Sequence, residues 1–342
     1  MSSLSSQGFF MPAEWHPHDC CWMGWPCRIK TWGERMYEAK LAYAEIAQAI
    51  NQFEPVKMTA RPEDAEEARK MCGTQIEIVS LPMDDSWTRD SGPTFIIDRK
   101  GKLAGIDWEF NQWGADYSDC EDDADFARAL LNHISVEHFK APFVLEGGSI
   151  HVDGDGTLMT TEQCLLHPNR NPELDQEEIE QLLREHLNVH NIIWLGEGLM
   201  DDETDGHVDN LACFIKPGAV MALISTDPED ENYDVLQDNL LRLKHAKDAR
   251  ERSLEIITVQ QPEAQWKEDE RLAQSYINFY LPNKGIVMPA FNNPVHDNQA
   301  REIFEKVFPD REIIQLDAQE IVMGGGGIHC ITQQQPKALV IS

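Results

Sequence analysis

The chain has 342 residues, 42% of them hydrophobic, enough to bury a large core as one large domain or two ordinary ones. Sixty acidic against 29 basic side chains leave a formal charge of −31, which argues against a nucleic-acid partner and attracts small cations. No window approaches the roughly 18 apolar residues of a membrane span. The N-terminal Met1-Ser2-Ser3-Leu4-Ser5-Ser6-Gln7-Gly8 lacks the basic and apolar regions of a secretory signal.

Read from the N-terminus, Ala39, Tyr43, Ile46, Ile50 and Phe53 recur at helical spacing and predict a helix with one apolar face. A strand, Val56 to Ala60, follows, then a helix opening at Pro62, a favoured first helical residue. The apolar run Ile76 to Val79 predicts a strand that leads into a long polar loop. Comparable strands are expected to begin near Phe143, Asn191, Leu254 and Arg311, at intervals of 48 to 67 residues. Unequal but similar intervals predict five copies of a β/α unit, each unable to bury its faces alone. A doubly wound sheet gives a similar alternation.

The loops after these strands hold the unusual residues. The first is Asp84-Asp85-Ser86-Trp87-Thr88-Arg89-Asp90-Ser91-Gly92-Pro93, the second Leu145-Glu146-Gly147-Gly148-Ser149 and the third Thr204-Asp205-Gly206-His207-Val208-Asp209-Asn210. The last ends in Met323-Gly324-Gly325-Gly326-Gly327-Ile328-His329-Cys330. Four glycines in a row are costly to order and imply a backbone that a ligand or strand approaches closely. Ile328 to Thr332 reads as the strand that holds Cys330. His207 and Asp209, at the head of the apolar run Leu211 to Ile215, would point the same way in a strand. Glu146 suits a carboxylate that orients an imidazole and favours its protonated form. Asp90, beside Ser-Gly-Pro, also fits a plain Asx turn. Trp87 fits core packing or a stacking platform for a planar cation.

A cysteine, a histidine and several carboxylates work together without a metal if the substrate is a guanidinium, whose N–H fork matches two carboxylates. The cysteine attacks its central carbon while the histidine protonates the departing nitrogen. The bound cation itself favours the thiolate.

These motifs, with Met11-Pro12-Ala13-Glu14-Trp15-His16-Pro17-His18 and Trp22-Met23-Gly24-Trp25-Pro26, resemble the agmatine deiminase family of guanidine-modifying enzymes from about residue 10 to residue 336. The resemblance implies a five-bladed α/β propeller of pseudo-fivefold units, with residues 1–342 as a single catalytic domain. It implies hydrolysis of agmatine to N-carbamoylputrescine and ammonia through an amidino-cysteine intermediate, with neither metal nor organic cofactor, in putrescine and polyamine biosynthesis. Cys330 then matches the nucleophile, His207 the general acid/base, Asp90 and Asp209 the guanidinium clamp, and Glu146 the carboxylate that supports histidine or substrate. One departure is Gly327, where Asn is often expected. For the ammonium tail, Trp87, Trp113, Glu14, Trp15, Asp84 and Asp85 are the acidic and aromatic candidates. Arg89, the nearby cation, is expected to pair with a loop carboxylate.

Rival readings are a bacterial-type protein-arginine deiminase, whose members are secreted and carry a further immunoglobulin-like domain, an amidinotransferase and a non-catalytic polyamine-binding protein. The cluster His16, His18, Cys20, Cys21 and Cys27 lacks paired zinc-ligand spacing. The glycine run lacks the Lys-Ser/Thr of a phosphate loop. Eight cysteines without framework spacing predict reduced thiols and a cytoplasmic protein. The expected partner is a small cation, not nucleic acid or membrane, and homo-oligomerisation stays open.

Overall fold

Short apolar runs alternating with amphipathic helices fold into small separate sheets. The computed structural model describes residues 3–114 and 120–340. Five sheets repeat one plan, an antiparallel contact extended by a parallel strand across a helical crossover. The first pairs Thr332–Pro336 antiparallel with His18–Gly24 and continues in parallel through Val56–Ala60 to Glu77–Ser80. The second runs Phe9–Phe10, Thr94–Asp98, Leu103–Glu109, Glu137–Val144, and the third His151–Val152, Thr157–Thr161, Asn191–Leu195. The fourth is Ala212–Lys216, Ala219–Ile224, Glu255–Gln260. In the fifth, Gly285–Ala290 lies parallel to Glu312–Asp317 and bridges antiparallel to Tyr280. Among the described residues no sheet exceeds four strands, so the alternation is not one continuous doubly wound sheet.

The first sheet is completed from the far end of the chain. Thr332 pairs with Met23 and Gln334 with Cys21, so the segment just after Cys330 is locked to a strand near the N-terminus. Beneath it, Met23, Trp25, Tyr43, Met58, Tyr276 and Ile331 share the largest core cluster. A second cluster joins Ile106, Phe143, Leu158 and Leu183 across the second and third sheets.

The helix expected from Ala39 spans Met36–Ile50 and buries Ala39, Tyr43, Ile46 and Ile50, with Phe53 past its end. The helix expected at Pro62 begins instead at Ala65, because residues 62–64 form a turn that the Arg61–Asp64 ion pair (2.6 Å) closes. Strands expected near Ile76, Leu254 and Arg311 begin one residue later, and that at Asn191 begins there. The one expected near Phe143 runs from Glu137 to Val144. Its ladder slips between Asp107 and Glu109, opposite Pro142, which has no amide proton to donate. Among the described residues, no helix is long and apolar enough to cross a membrane.

Candidate active site

Five connectors, each leading from the last strand of one sheet to the antiparallel strand of the next, build the site: residues 81–93, 145–150, 196–211, 261–284 and 318–331. None presents its functional residue on a strand. Asp90 lies in the single helical turn Thr88–Ser91, and Glu146 caps the 3-10 turn Gly147–Ser149. His207 caps a second 3-10 turn, Val208–Asn210, which contains Asp209, so the same-face strand argument for that pair does not hold. Cys330 sits in a turn, and the expected strand starts only at Thr332.

The turns nevertheless converge. Asp90 Oδ1 accepts the Gly148 N–H at 2.8 Å, and its Oδ2 accepts the Trp113 indole N–H at 2.9 Å. The His207 ring lies between two carboxylates, with Nδ1 3.7 Å from Asp90 and Nε2 3.7 Å from Glu146. Cys330 Sγ is 3.7 Å from Asp209 Oδ2. Both His207 ring nitrogens and Asp209 Oδ1 are buried without a hydrogen-bond partner among the described residues. Gly148 makes this approach possible, since a Cβ there would stand 2.6 Å from His207 Nδ1.

Each carboxylate has its own cation. Arg170 Nε donates to Glu146 Oε1 at 2.7 Å, and His329 Nδ1 meets Asp209 Oδ2 at 2.8 Å. Burial pushes Glu146 and Asp209 up, but nearby His207 and the hydrogen bond and charge of Arg170 for the first, and the hydrogen bond and charge of His329 for the second, hold both below the usual carboxylate range. Asp90 is raised, because burial, with Asp209 and Glu146 nearby, outweighs His207. His207 is pushed well up, Asp90 and Glu146 overcoming the burial that disfavours its charge. Burial drives the Cys330 thiol well up, and Asp209 and Asp90 add to it. The free site therefore stores a thiol beside an imidazolium.

Two supporting residues were missed in the sequence. Asn278 donates from Nδ2 to Cys330 Sγ at 3.2 Å and to Asn210 at 3.0 Å, while its Oδ1 accepts the His329 N–H at 2.8 Å. Its signal was a lone amide inside Tyr276-Ile277-Asn278-Phe279-Tyr280, since a polar group in a buried run must find partners. Gly327 fits the same fact: a Cβ there would lie 2.3 Å from Asn278 Oδ1. Arg170, in His167-Pro168-Asn169-Arg170, carried no such signal. It also donates to the carbonyl of Trp113 at 2.6 Å and to Asp205 at 2.8 Å, which ties down a turn where Gln112 and Trp113 both have positive φ.

Trp87 and Trp113 line the pocket before Cys330, with Asp90, Glu203, Thr204 and Gly324 to Gly326. The other tail candidates do not. Asp85 stands behind Trp87 and accepts its indole N–H at 3.2 Å, while Asp84 accepts the backbone N–H groups of Asp122 and Asp123. Glu14 is buried against His329 at 2.7 Å. Trp15 lines a separate open groove with Met11, Ala13 and Gly154, which contains none of the catalytic candidates. Arg89 pairs with a loop carboxylate as expected, 3.6 Å from Glu14.

The N-terminal His/Cys cluster disperses: His18 bonds Glu54, His16 the Lys337 carbonyl, Cys20 Gln335 and Cys27 the Asp84 carbonyl. Glu146, Cys164 and His207 have ligand atoms within 4.8 Å of one another and have the donor types for a metal. Arg170 already occupies one Glu146 oxygen, and the raised His207 favours a proton there.

A thiol, an imidazole and cation-paired carboxylates on the turns of a mixed α/β scaffold define a hydrolase that works through a cysteine. The chain belongs to the family described as Porphyromonas-type peptidyl-arginine deiminase, whose family model matches residues 10–336. Its relatives there carry a narrower name. The agmatine deiminase of Stutzerimonas stutzeri (strain A1501) is 44% identical over 368 residues, covering 99% of this chain and 100% of that one. A solved structure of Enterococcus faecalis agmatine deiminase catalysing its reaction superposes with a TM-score of 0.95 at 36% identity, covering 99% of each chain. A cysteine-to-serine variant of C. jejuni agmatine deiminase with substrate bound gives 0.89 at 29% identity, covering 97% of each.

Proposed function

We propose that this protein hydrolyses agmatine to N-carbamoylputrescine and ammonia through a thiouronium formed on Cys330. Full-length similarity to agmatine deiminases supports the substrate. The observation that carries the chemistry is the set of buried polar groups without partners, the acceptor Asp209 Oδ1 and the two ring N–H groups of His207, beside Asp90 and a thiol.

The guanidinium is held between Asp90 and Asp209 with its carbon toward Cys330. Its charge relieves the repulsion that keeps the thiol protonated; Cys330 gives up its proton to solvent, and the resulting thiolate attacks the carbon. The tetrahedral adduct collapses as His207 donates a proton to the departing nitrogen, which leaves as ammonia. Water then adds to the thiouronium carbon and gives a proton to the now neutral His207. Collapse expels Cys330, the hydroxyl proton of the adduct re-forms its thiol, and the ureido product is released; the proton lost when the thiolate formed leaves with the ammonia as ammonium. Glu146 keeps His207 oriented, and Trp87 and Trp113 wall the alkyl chain. Glu203, at the mouth, is the carboxylate nearest the ammonium tail among those lining the pocket.

Five sheets of one plan, the first completed by the C-terminal strand, support a five-bladed α/β propeller with residues 1–342 as a single catalytic domain. A chemistry that depends on a free thiol suits the cytoplasm. The family description leaves protein-bound arginine as the second reading. Ammonia release from agmatine, free arginine and an arginine peptide decides between them. Agmatine should be turned over with the highest kcat/KM, and Cys330→Ala should abolish turnover. Equal efficiency on arginine overturns the substrate, and residual turnover by Cys330→Ala overturns the nucleophile.

A further inference from the structure

The residue before the proposed nucleophile has no part in the mechanism above, yet both nitrogens of its ring are engaged by buried carboxylates. Both ring nitrogens of His329 face carboxylates at short range: Nδ1 lies 2.8 Å from Asp209 Oδ2 and Nε2 2.7 Å from Glu14 Oε1. A neutral imidazole has one N–H and one lone pair. Whichever tautomer it took, its lone pair would face an ionised carboxylate oxygen inside hydrogen-bond distance. We infer that His329 is held as an imidazolium across the working pH range, clamped between Asp209 and Glu14, and acts as the positioning residue that fixes the substrate-binding carboxylate.

The same contacts could be met by a neutral ring and one protonated carboxyl, so the neighbouring charges decide. Arg89 Nη1 stands 3.6 Å from Glu14 Oε1, and Arg89 Nε donates to the His329 carbonyl at 3.3 Å. His151 Nε2 lies 3.7 Å from Glu14 Oε2, and its ring stacks on that of His329 with centroids 6.5 Å apart. Cys213 completes the small cavity that Glu14, His151, Asp209 and His329 line, and Cys330 follows in the chain. Around the ring there are thus two carboxylates, one guanidinium, a second imidazole and two thiols. Burial pushes Glu14 up, but His329, His151 and Arg89 together hold it well below the usual range, so Glu14 keeps its charge. Burial and Arg89 work against a charged His329, and Glu14 and Asp209 still carry it upward.

The arrangement has a catalytic consequence. Glu146 is matched by Arg170, Asp90 by His207, Asp209 by His329 and Glu14 by Arg89. Within these four pairs charge is balanced, so an entering guanidinium adds one unbalanced positive charge to them. Ionisation of Cys330 supplies the matching negative charge. With His329 neutral, an unpaired Asp209 would compete with the thiolate for the same cation.

The decisive measurement is histidine ¹⁵N NMR on the intact protein between about pH 6 and pH 9, a range that brackets an ordinary imidazole near 6.5. His329 is assigned by the signal missing from His329→Gln. It should keep the doubly protonated pattern to about pH 9, and in Glu14→Gln it should lose its proton at lower pH. A neutral tautomer in the wild type at about pH 8 overturns the inference. His329→Gln should raise the KM for agmatine at least about tenfold with a smaller change in kcat, because it loosens a binding carboxylate. An unchanged KM overturns the positioning role. That role rests on the proposed clamp, whereas the protonation state is read without substrate, so failure of one reading leaves the other separately judged.

Discussion

A thiol buried next to Asp209 and Asp90 starts as a poor nucleophile, and in the mechanism proposed above the substrate is part of its activation. Asp90→Asn and Asp209→Asn keep size and remove charge opposite a desolvated guanidinium. Such losses cost roughly 2–5 kcal/mol, so kcat/KM for agmatine should fall at least about thirtyfold in each. Near-wild-type kinetics in both would remove them from the site. Asn278→Ala deletes the donor to Cys330 Sγ and strands the His329 N–H. It should lower kcat more than it raises KM, which steady-state kinetics on the purified variant will read. Asp90 is raised and His207 pushed well up. Activity should therefore fall on acidification at a pH above the ordinary carboxylate range, and on alkalinisation only well above the ordinary histidine range. An alkaline limb that falls at the pH of an unperturbed imidazole, about 6.5, would contradict this assignment. Cys330, His207, Asp90, Asp209 and Glu146 stood out as reactive residue types in glycine-bearing loops, and the fold brings them together. Arg170 and Glu203 did not stand out, since a charge in an ordinary loop reveals its partner only after folding, and the signal of Asn278, a lone amide in an apolar run, was passed over.

At the level of elements, the site is a set of turns: Asp90 and Glu146 were read in loops, but His207, Asp209 and Cys330 were read onto strands that start only after them. Apolar runs such as Leu211 to Ile215 were read correctly as strands, but the functional residues fall in the 3-10 or irregular turn just before them. Period-two patterning cannot see that boundary. What holds the turns is also non-local. The helix Glu121–His133 anchors the connector that carries Asp90: Asp123 Oδ1 accepts the Asp84 and Asp85 N–H groups at 2.8 and 3.2 Å. In return, Asp84 Oδ2 accepts the Asp122 and Asp123 N–H groups at the helix start. Burial raises Asp123 to about 7, the two backbone hydrogen bonds only partly opposing it. The unfolded chain has an ordinary aspartate near 3.9. Folding therefore takes up a proton between those values, and this group's contribution to stability is full below about pH 4 and lost as pH rises through about 7. Asp123→Asn keeps the Oδ1 acceptor and removes the charge. Its urea midpoint should exceed that of the wild type at about pH 8 and lose that advantage toward about pH 4. A constant difference across that range would mean that Asp123 is not the titrating group.

The whole molecule adds two things that no single motif carries. One is closure: the strand Thr332–Pro336 is bound to His18–Gly24, so Cys330 is positioned by pairing across more than 300 residues of chain. Five similar units were legible in the spacing, but this pairing was not, because the partner strand Gln333-Gln334-Gln335 has no apolar pattern. The other is charge. The four ion pairs at the site are balanced, yet the chain as a whole carries −31, so attraction of a dication must come from the surface field. Such a field reaches about 30 Å at an ionic strength near 0.01 M and about 10 Å near 0.1 M. Raising salt across that range should lower kcat/KM for agmatine severalfold and leave kcat unchanged, because salt screens approach and not the chemistry in a closed pocket. A guanidine of the same length without the ammonium carries half the charge and should show a distinctly shallower dependence. If both substrates lose efficiency equally, salt acts on the protein's conformation. If neither does, the acidic surface serves solubility alone, and recognition begins only at the pocket mouth around Glu203 and the two indoles.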